Sequence, residues 1–185
     1  MKHVKKVSKR ARVVTGGVAV ALLIGGAGAW SAGAATPAAA KPVKAAAADA
    51  NLTQSTHLTV DAATKAAQAA LDAAKKANQK VSVAVVDRNG NTLVTLRGDG
   101  AGPQSYESAV KKAYTAVSWN APTSELVKRL ENAPTLKDIP GTLFLAGGAP
   151  VAAKGAPVAG IGVAGAPSGD QDETFAQAGA AALAE

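Results

Sequence analysis

The sequence predicts an α+β domain in which an antiparallel five-stranded sheet is flanked by helices. Asn89-Gly90 separates two β-branched runs, and this is the strongest short-range signal for a β-hairpin. Stretches with apolar residues at three- and four-residue spacing lie before and after groups of short strands, and such spacing is typical of amphipathic helices. Strands that are joined mostly by hairpins, without helical crossovers, form antiparallel sheets.

The first helix is predicted from Val60 to about Asn78. Its apolar positions are mostly alanine, Thr59 is placed to cap it, and Lys75 and Lys76 lie in its last turn, where cations are favourable. Because these side chains are small, we expect the helix to pack flat on the sheet.

The hairpin strands are predicted over residues 81–86 and 92–96. A second helix is predicted from about Ser105 to Ser118, and a third from 123 to 131, with Pro122 at its entrance. The apolar face of the second helix is predicted to consist of Tyr106, Val110, Ala113 and Val117.

Three more strands are predicted, over residues 142–146, 151–153 and 158–163. Asp170 offers a capping carboxylate with Glu173 three residues further on, so a final helix is predicted from there to Ala184. The predicted element order is therefore α-β-β-α-α-β-β-β-α.

The formal net charge of +7 does not belong to the predicted domain. Six of the 20 basic residues lie within residues 1–12, whereas from Asn51 onward 12 basic residues face 12 acidic ones. Nucleic-acid binding needs clustered Lys and Arg that release counterions from phosphates. We therefore expect no nucleic-acid partner.

The first 35 residues have the pattern of a secretory signal peptide. A basic head precedes an apolar run from Val13 to Ala29, and small residues follow at 32–34. A membrane anchor is the alternative, since the run is near the minimum of about 17 residues for a span. Its many glycines and alanines favour cleavage after Ala34 or Ala35, with a secreted or cell-wall-associated product that is not stably inserted in the membrane. Residues 36–57 then form an Ala/Pro-rich flexible linker, and residues 58–185 form the domain.

The residue types of the chain argue against several kinds of functional site. The chain has no cysteine, and its two histidines are His3 and His57, so neither a His-based zinc site nor a Ser-His-Asp triad is expected in the domain. Gly160, Gly162 and Gly165 match the letters of a dinucleotide fingerprint, but they lie within a predicted strand rather than before a helix. We expect these glycines to allow another backbone or a subunit to approach closely.

A glycine-rich loop over residues 97–102 leads into a helix with the pattern Lys-Ala-x-Thr-Ala at residues 112–116. Together with the hairpin at 84–94, the run Gly-Gly-Ala-Pro-Val at 147–151 and the glycines at 160–165, this arrangement resembles the GlcG/HbpS family of haem-binding domains. The resemblance covers about residues 58–185. It implies a profilin-like fold, haem iron as cofactor, a homo-oligomer (an octamer), and a sensor histidine kinase of a two-component system as partner.

The candidates for the axial ligand follow from the chemistry of iron. Haem iron is normally held by His, Cys, Met or Tyr, and the candidates of these types in the mature chain are His57, Tyr106 and Tyr114. The family resemblance adds Thr115, the threonine of the Lys-Ala-x-Thr-Ala pattern. Trp119 is expected to pack at the end of the second helix, with stacking on a porphyrin as the alternative.

The expected haem site is one face of the second helix. Ser108, Lys111, Lys112 and Thr115 fall at spacings of three and four residues, so they share a face. On this hypothesis the two ammonium groups hold the haem propionates while Thr115 meets the iron. The alternative is that the lysines form a solvated surface and Thr115 has no ligand role.

The resemblance implies an extracellular haem- and iron-binding protein that sequesters or degrades haem and modulates a membrane sensor kinase during oxidative stress. One alternative is an oligomeric structural or signalling partner in which haem binding is incidental. Another is a haem-degrading enzyme that consumes the haem it binds.

Overall fold

The structure, a computed structural model, describes residues 46–184. The expected signal peptide and residues 36–45 of the expected linker lie outside the described residues. Residues 46–57 are exposed and contain one short 3-10 turn, Asp49–Asn51. Between residues 46 and 184, no helix is long and apolar enough to cross a membrane.

The described residues form one four-stranded antiparallel sheet and four α-helices, which confirms the predicted α+β class. The helices are α1 (Val60–Lys76), α2 (Pro103–Trp119), α3 (Thr123–Arg129) and α4 (Gly169–Ala181). The strands are β1 (Ser82–Asp87), β2 (Thr92–Arg97), β3 (Gly148–Ala153) and β4 (Ala156–Ala164). They lie in the order β2-β1-β4-β3, and each neighbouring pair is antiparallel.

The prediction of a fifth strand over residues 142–146 is wrong. This segment precedes β3 without joining the sheet, and a 3-10 turn, Pro134–Asp138, lies between it and α3. The backbone N–H of Leu143 within it and that of Gly147 just after it donate to side-chain oxygens instead of a neighbouring strand. A segment with a strand-like sequence does not form a β-ladder when side chains already accept hydrogen bonds from its backbone N–H groups.

Helix α1 follows its prediction closely. The Thr59 hydroxyl caps it by accepting a hydrogen bond from the N–H of Ala62 at 3.2 Å, and its buried face consists of five alanines and Leu71. This face packs with α4 against valines and Ile161 on one side of the sheet. Val60 is exposed, because it lies in the first turn, at the margin of that contact.

The predicted hairpin between β1 and β2 is confirmed, and Asp87 shapes its turn. Its Oδ1 accepts hydrogen bonds from the N–H groups of Asn89 and Asn91, both at 2.8 Å, and Oδ2 accepts one from the Asn91 side chain. Burial alone would raise the pKa of Asp87, but these hydrogen bonds outweigh it and hold the pKa below its usual value. Gly90 adopts φ +86° in the turn, a conformation that glycine tolerates best.

Helix α2 packs on the other side of the sheet, with its backbone close to the backbone of β4. A Cβ at Gly160 or Gly162 of β4 would collide with the backbone oxygen of Ala113 or Ala109, respectively. This confirms that the glycines permit close backbone approach. The approaching element is a helix of the same chain, so of the two alternatives, another backbone or a subunit, the structure shows the first.

The predicted apolar face of α2 is only partly correct. Ala113 and Val117 are buried, but Tyr106 is 48 % exposed. The buried stripe contains the alanines at 109, 113 and 116, because a helix that lies directly on glycines must present small side chains.

The cap of helix α4 lies two residues earlier than predicted. Ser168 is its cap, since the Ser168 hydroxyl accepts a hydrogen bond from the N–H of Gln171 at 3.3 Å, so the assignment of Asp170 as the cap is wrong. Asp172 in the first turn and Glu173 directly after it are instead buried, and both form hydrogen bonds with other elements of the fold.

Candidate functional site

Lys112 lies in the interior rather than on an open helix face. Its side chain is 2 % exposed, and its Nζ donates hydrogen bonds to Asp172 Oδ2 at 2.8 Å and to the Val163 carbonyl at 3.0 Å. The expectation of a surface ammonium beside Thr115 is therefore wrong for Lys112. Burying an ammonium is costly unless it is paired, and the carboxylate of α4 supplies that pairing.

Asp172 connects α4 to α2 and to the loop that follows β4. Its Oδ1 accepts a hydrogen bond from the N–H of Ala166 at 3.0 Å, which holds the loop after β4 against the helix. Burial raises the pKa of Asp172, although the Lys112 ammonium and the backbone N–H groups act in the opposite direction.

Thr115 is also closed to a ligand. Its side chain is 0 % exposed, its hydroxyl donates to the Lys111 carbonyl at 2.7 Å, and the same oxygen accepts a hydrogen bond from the N–H of Leu143 at 2.8 Å. The expectation that Thr115 presents an accessible hydroxyl to haem iron is wrong, because the hydroxyl is buried and already used by the protein.

Ser108 and Lys111 remain partly accessible. The Lys111 ammonium lies 2.7 Å from Glu107 Oε1, one turn earlier on α2, in a surface ion pair. Exposed ion pairs of this kind contribute little to stability, because water and salt screen the two charges. The four predicted site residues are therefore divided: Ser108 and Lys112 line one pocket, Lys111 lies on the surface, and Thr115 lies in the interior.

Two depressions adjoin on this side of the molecule. The first, of about 350 Å³, is lined by the start of α2, including Gln104 and Ser108, with Lys112 and Asp172 also in its wall. The second, of about 490 Å³, is lined by residues of α3, including Val127 and Lys128, and by the start of α4. Both contain Leu145 and Gly169 in their walls, and Leu145 is 50 % exposed. We call the two depressions together the Leu145 cleft.

The strong candidates for iron ligation lie elsewhere. His57 is exposed before α1, with Nε2 at 2.6 Å from the Ser55 hydroxyl, and the Tyr106 hydroxyl accepts a 3.4 Å hydrogen bond from Thr95. Tyr114 packs over the backbone of Gly90 and Gly141. None of these three side chains lines the Leu145 cleft.

The Trp119 ring meets the Phe144 ring edge-on at a centroid distance of 5.2 Å, which confirms the packing role for Trp119. Across residues 46–184, no group of three or more His, Cys, Asp or Glu side chains could hold a metal ion.

The sequence reasoning missed three residues of this region: Leu145, Asp172 and Glu173. The sequence pattern predicts a strand at Leu145 and a helix start at Asp172 and Glu173. The adjacent carboxylates in a helix start were a visible signal, but their partners on α2 and α3 are 60 and 49 residues away in sequence. Nothing in the local pattern identifies them.

A family model described as "Haem degrading protein HbpS-like" matches residues 58–181. The chain belongs to this family. A crystal structure of a double mutant of Streptomyces reticuli HbpS is 77 % identical, with a TM-score of 0.76 over 77 % of this chain and 98 % of that one. A curated relative from Citrobacter freundii, an uncharacterised 15.0 kDa protein of the dhaT-dhaS intergenic region, is 33 % identical over 65 % of this chain and 87 % of its own length.

A more distant solved structure is that of a PduOC:haem complex. It is 29 % identical, with a TM-score of 0.63 over 69 % of this chain and 95 % of that one. The HbpS-like family thus includes this chain, and the fold of a haem-bound protein is similar to it.

Proposed function

We propose that this HbpS-like protein is an extracellular haem-binding protein that sequesters or degrades haem. The observation that carries the proposal is the match of residues 58–181 to the haem-degrading HbpS-like family. The similarity to the PduOC:haem complex supports it, because that fold accommodates haem in a relative.

The Leu145 cleft is the best place for the porphyrin. An exposed leucine between two depressions offers apolar contact to a flat ring, and a side chain of this size gains free energy when it leaves water. Gln104 and Ser108 on one side and Lys128 on the other supply donors suited to propionate carboxylates. The cleft thus fits the ring and its acidic edge.

The same cleft does not fit the iron by the usual chemistry. Its lining includes no His, Cys, Met or Tyr, and Thr115, whose hydroxyl is engaged by the protein, is not part of that lining. We therefore derive no role for a protein ligand here. Bound haem supplies redox iron, and the residues of the cleft hold and orient it.

The proposal also includes export of the protein and a membrane sensor kinase as its partner. The basic head, apolar run and small residues of the first 35 positions support secretion. Outside the membrane, a haem-loaded homo-oligomer would act on the sensor domain of a histidine kinase. Chemical crosslinking of secreted protein to a membrane kinase, with and without haem, tests this part separately.

The haem proposal is tested by titrating hemin into residues 36–185 of the chain and following the Soret band. We expect saturable binding that Leu145→Asp weakens about tenfold or more, because a carboxylate would replace apolar contact and repel the propionates. Leu52→Asp is the matched control, since Leu52 is also an exposed leucine but lies outside the cleft, and its variant should bind as the wild type does.

The outcomes separate the possible functions. A wild-type protein that leaves the hemin spectrum unchanged would refute haem binding altogether. Equal weakening by both leucine variants would refute the cleft as the site. A stable Soret band in the presence of peroxide would indicate sequestration, whereas progressive bleaching with release of iron would indicate degradation.

A further inference from the structure

The segment that carries Leu145 is held at both ends by side chains. At one end, the N–H of Leu143 donates to Thr115 Oγ1 at 2.8 Å; at the other, the N–H of Gly147 donates to Glu173 Oε2 at 3.3 Å. Between them, the N–H of Leu145 donates to the Leu143 carbonyl at 3.0 Å. We call residues 143–147 the Leu145 segment.

Both anchoring side chains are themselves fixed. The Thr115 hydroxyl is fully buried on α2 and also donates to the Lys111 carbonyl at 2.7 Å. Glu173, buried on α4, accepts further hydrogen bonds from the Ser124 N–H at 2.9 Å and from the hydroxyls of Ser124 and Thr123 at the start of α3. The segment is thus held by side chains of α2 and α4, and through Glu173 it is linked to α3. Only its last residue contacts the sheet, where the Gly147 carbonyl accepts a hydrogen bond from the N–H of Val163 in β4 at 2.8 Å.

This arrangement has a specific consequence for Leu145. A leucine side chain normally turns inward, but here its segment is fixed with Leu145 half exposed between two depressions while its neighbour Phe144 is buried against Trp119. Residues 143–146 form no strand pairing, so without these anchors they would be free to move. A binding surface that is already ordered loses less conformational entropy when a ligand docks.

We propose that Thr115 and Glu173 are positioning residues that hold the Leu145 segment ready for haem without touching it. This inference rests on the proposed haem function of the cleft. It also assigns a role to Thr115 that differs from iron ligation: the hydroxyl acts through the backbone of Leu143. Loss of the hydroxyl should loosen the segment and weaken haem binding, while any hydroxyl at this position should preserve both.

The experiment compares Thr115→Val, which keeps the shape and removes the hydroxyl, with Thr115→Ser, which keeps the hydroxyl. Amide hydrogen exchange at Leu143 and hemin titration are measured on each. We expect Thr115→Val to speed exchange at Leu143 and to weaken hemin binding by about tenfold, the effect of losing preorganisation. Thr115→Ser should stay close to wild type in both measurements.

Glu173→Gln tests the second anchor independently and is informative even if Thr115→Val fails to fold. A neutral amide oxygen accepts a hydrogen bond more weakly than a carboxylate oxygen does, so exchange at Gly147 should rise and hemin binding should weaken. Far-ultraviolet circular dichroism establishes that each variant is folded before it is titrated.

Faster exchange with unchanged hemin affinity, in either anchor variant, would overturn the positioning role while leaving the proposed function intact. Unchanged exchange in a folded Thr115→Val variant would overturn the anchoring itself. If the wild type does not bind hemin, the proposed function and the haem role of the anchors both fail, and the exchange rates still decide whether the hydroxyl holds the segment.

Discussion

Removing one partner of the Lys112–Asp172 pair should destabilise the fold strongly. The two side chains are 2 % and 4 % exposed, so water cannot replace a missing partner. Lys112→Met would leave the Asp172 carboxylate buried with only backbone N–H donors, and uncompensated buried charges of this kind cost about 3–5 kcal/mol. Asp172→Leu should cost a similar amount, because the ammonium would keep only the Val163 carbonyl.

The double variant Lys112→Met with Asp172→Leu should recover most of that loss. Replacing both ions by apolar side chains of similar size removes the desolvation cost of both charges, and such exchanges are often neutral or stabilising. Some loss should remain, since the Ala166 N–H loses its acceptor. Urea denaturation followed by circular dichroism gives the free energy of unfolding of all four proteins. Single-variant losses that simply add in the double variant would refute the coupling.

The same pair predicts a pH dependence. In the folded protein the pKa of Asp172 is raised, so the folded state holds this proton more tightly than the unfolded state does. The contribution of Asp172 to stability is therefore greatest below its unfolded pKa and is lost as the pH rises through the folded pKa. Without the Lys112 ammonium this effect should grow. The stability deficit of Lys112→Met should thus shrink as the pH falls from about 7 towards 4.

Three further predictions concern other parts of the chain. Gly162→Ala should destabilise the fold by about 3 kcal/mol, because its Cβ would collide with the backbone of α2. Gly155→Ala has nothing near its Cβ and should cost only about 1 kcal/mol for its positive φ, so equal losses of the two variants in thermal or urea unfolding would contradict this. Asp87→Ala should cost about 1–3 kcal/mol of stability at neutral pH, because the turn loses the hydrogen bonds to its carboxylate. The lowered pKa of Asp87 stabilises the wild type until the pH falls through the folded pKa, so the variant should lose less stability on acidification than the wild type does. N-terminal sequencing of exported protein should return a first residue between Trp30 and Pro37, and material that begins at Met1 would count against secretion through a cleaved signal.

Local sequence patterns determined much of the fold. Thr59 and the alanine spacing predicted α1, and Asn89-Gly90 predicted the β1–β2 hairpin, because capping and turn geometry depend on residues that are neighbours in sequence. The glycines of β4 also predicted a close backbone approach, although not which backbone would approach. The family resemblance, carried by the same motifs, agreed with the HbpS-like match.

Only the tertiary structure decided which side of α2 meets the sheet. Spacings of three and four residues place Ser108, Lys112 and Thr115 near one another, but periodicity does not distinguish an inward face from an outward one when alanines and polar residues alternate. Gly160 and Gly162 selected the alanine stripe, and this placed Lys112 and Thr115 in the interior. Asp172 then became the necessary partner of Lys112 across 60 residues of sequence.

The same long-range logic explains the missing strand. Residues 142–146 have the apolar pattern of a strand, yet Thr115 and Glu173, on helices distant in sequence, accept the N–H groups at the two ends of the Leu145 segment. Hydrogen-bond partners brought together by folding are invisible to a local pattern. The sequence by itself therefore determined the class of fold and the family, and tertiary contacts decided which polar groups are buried, paired or left facing the cleft.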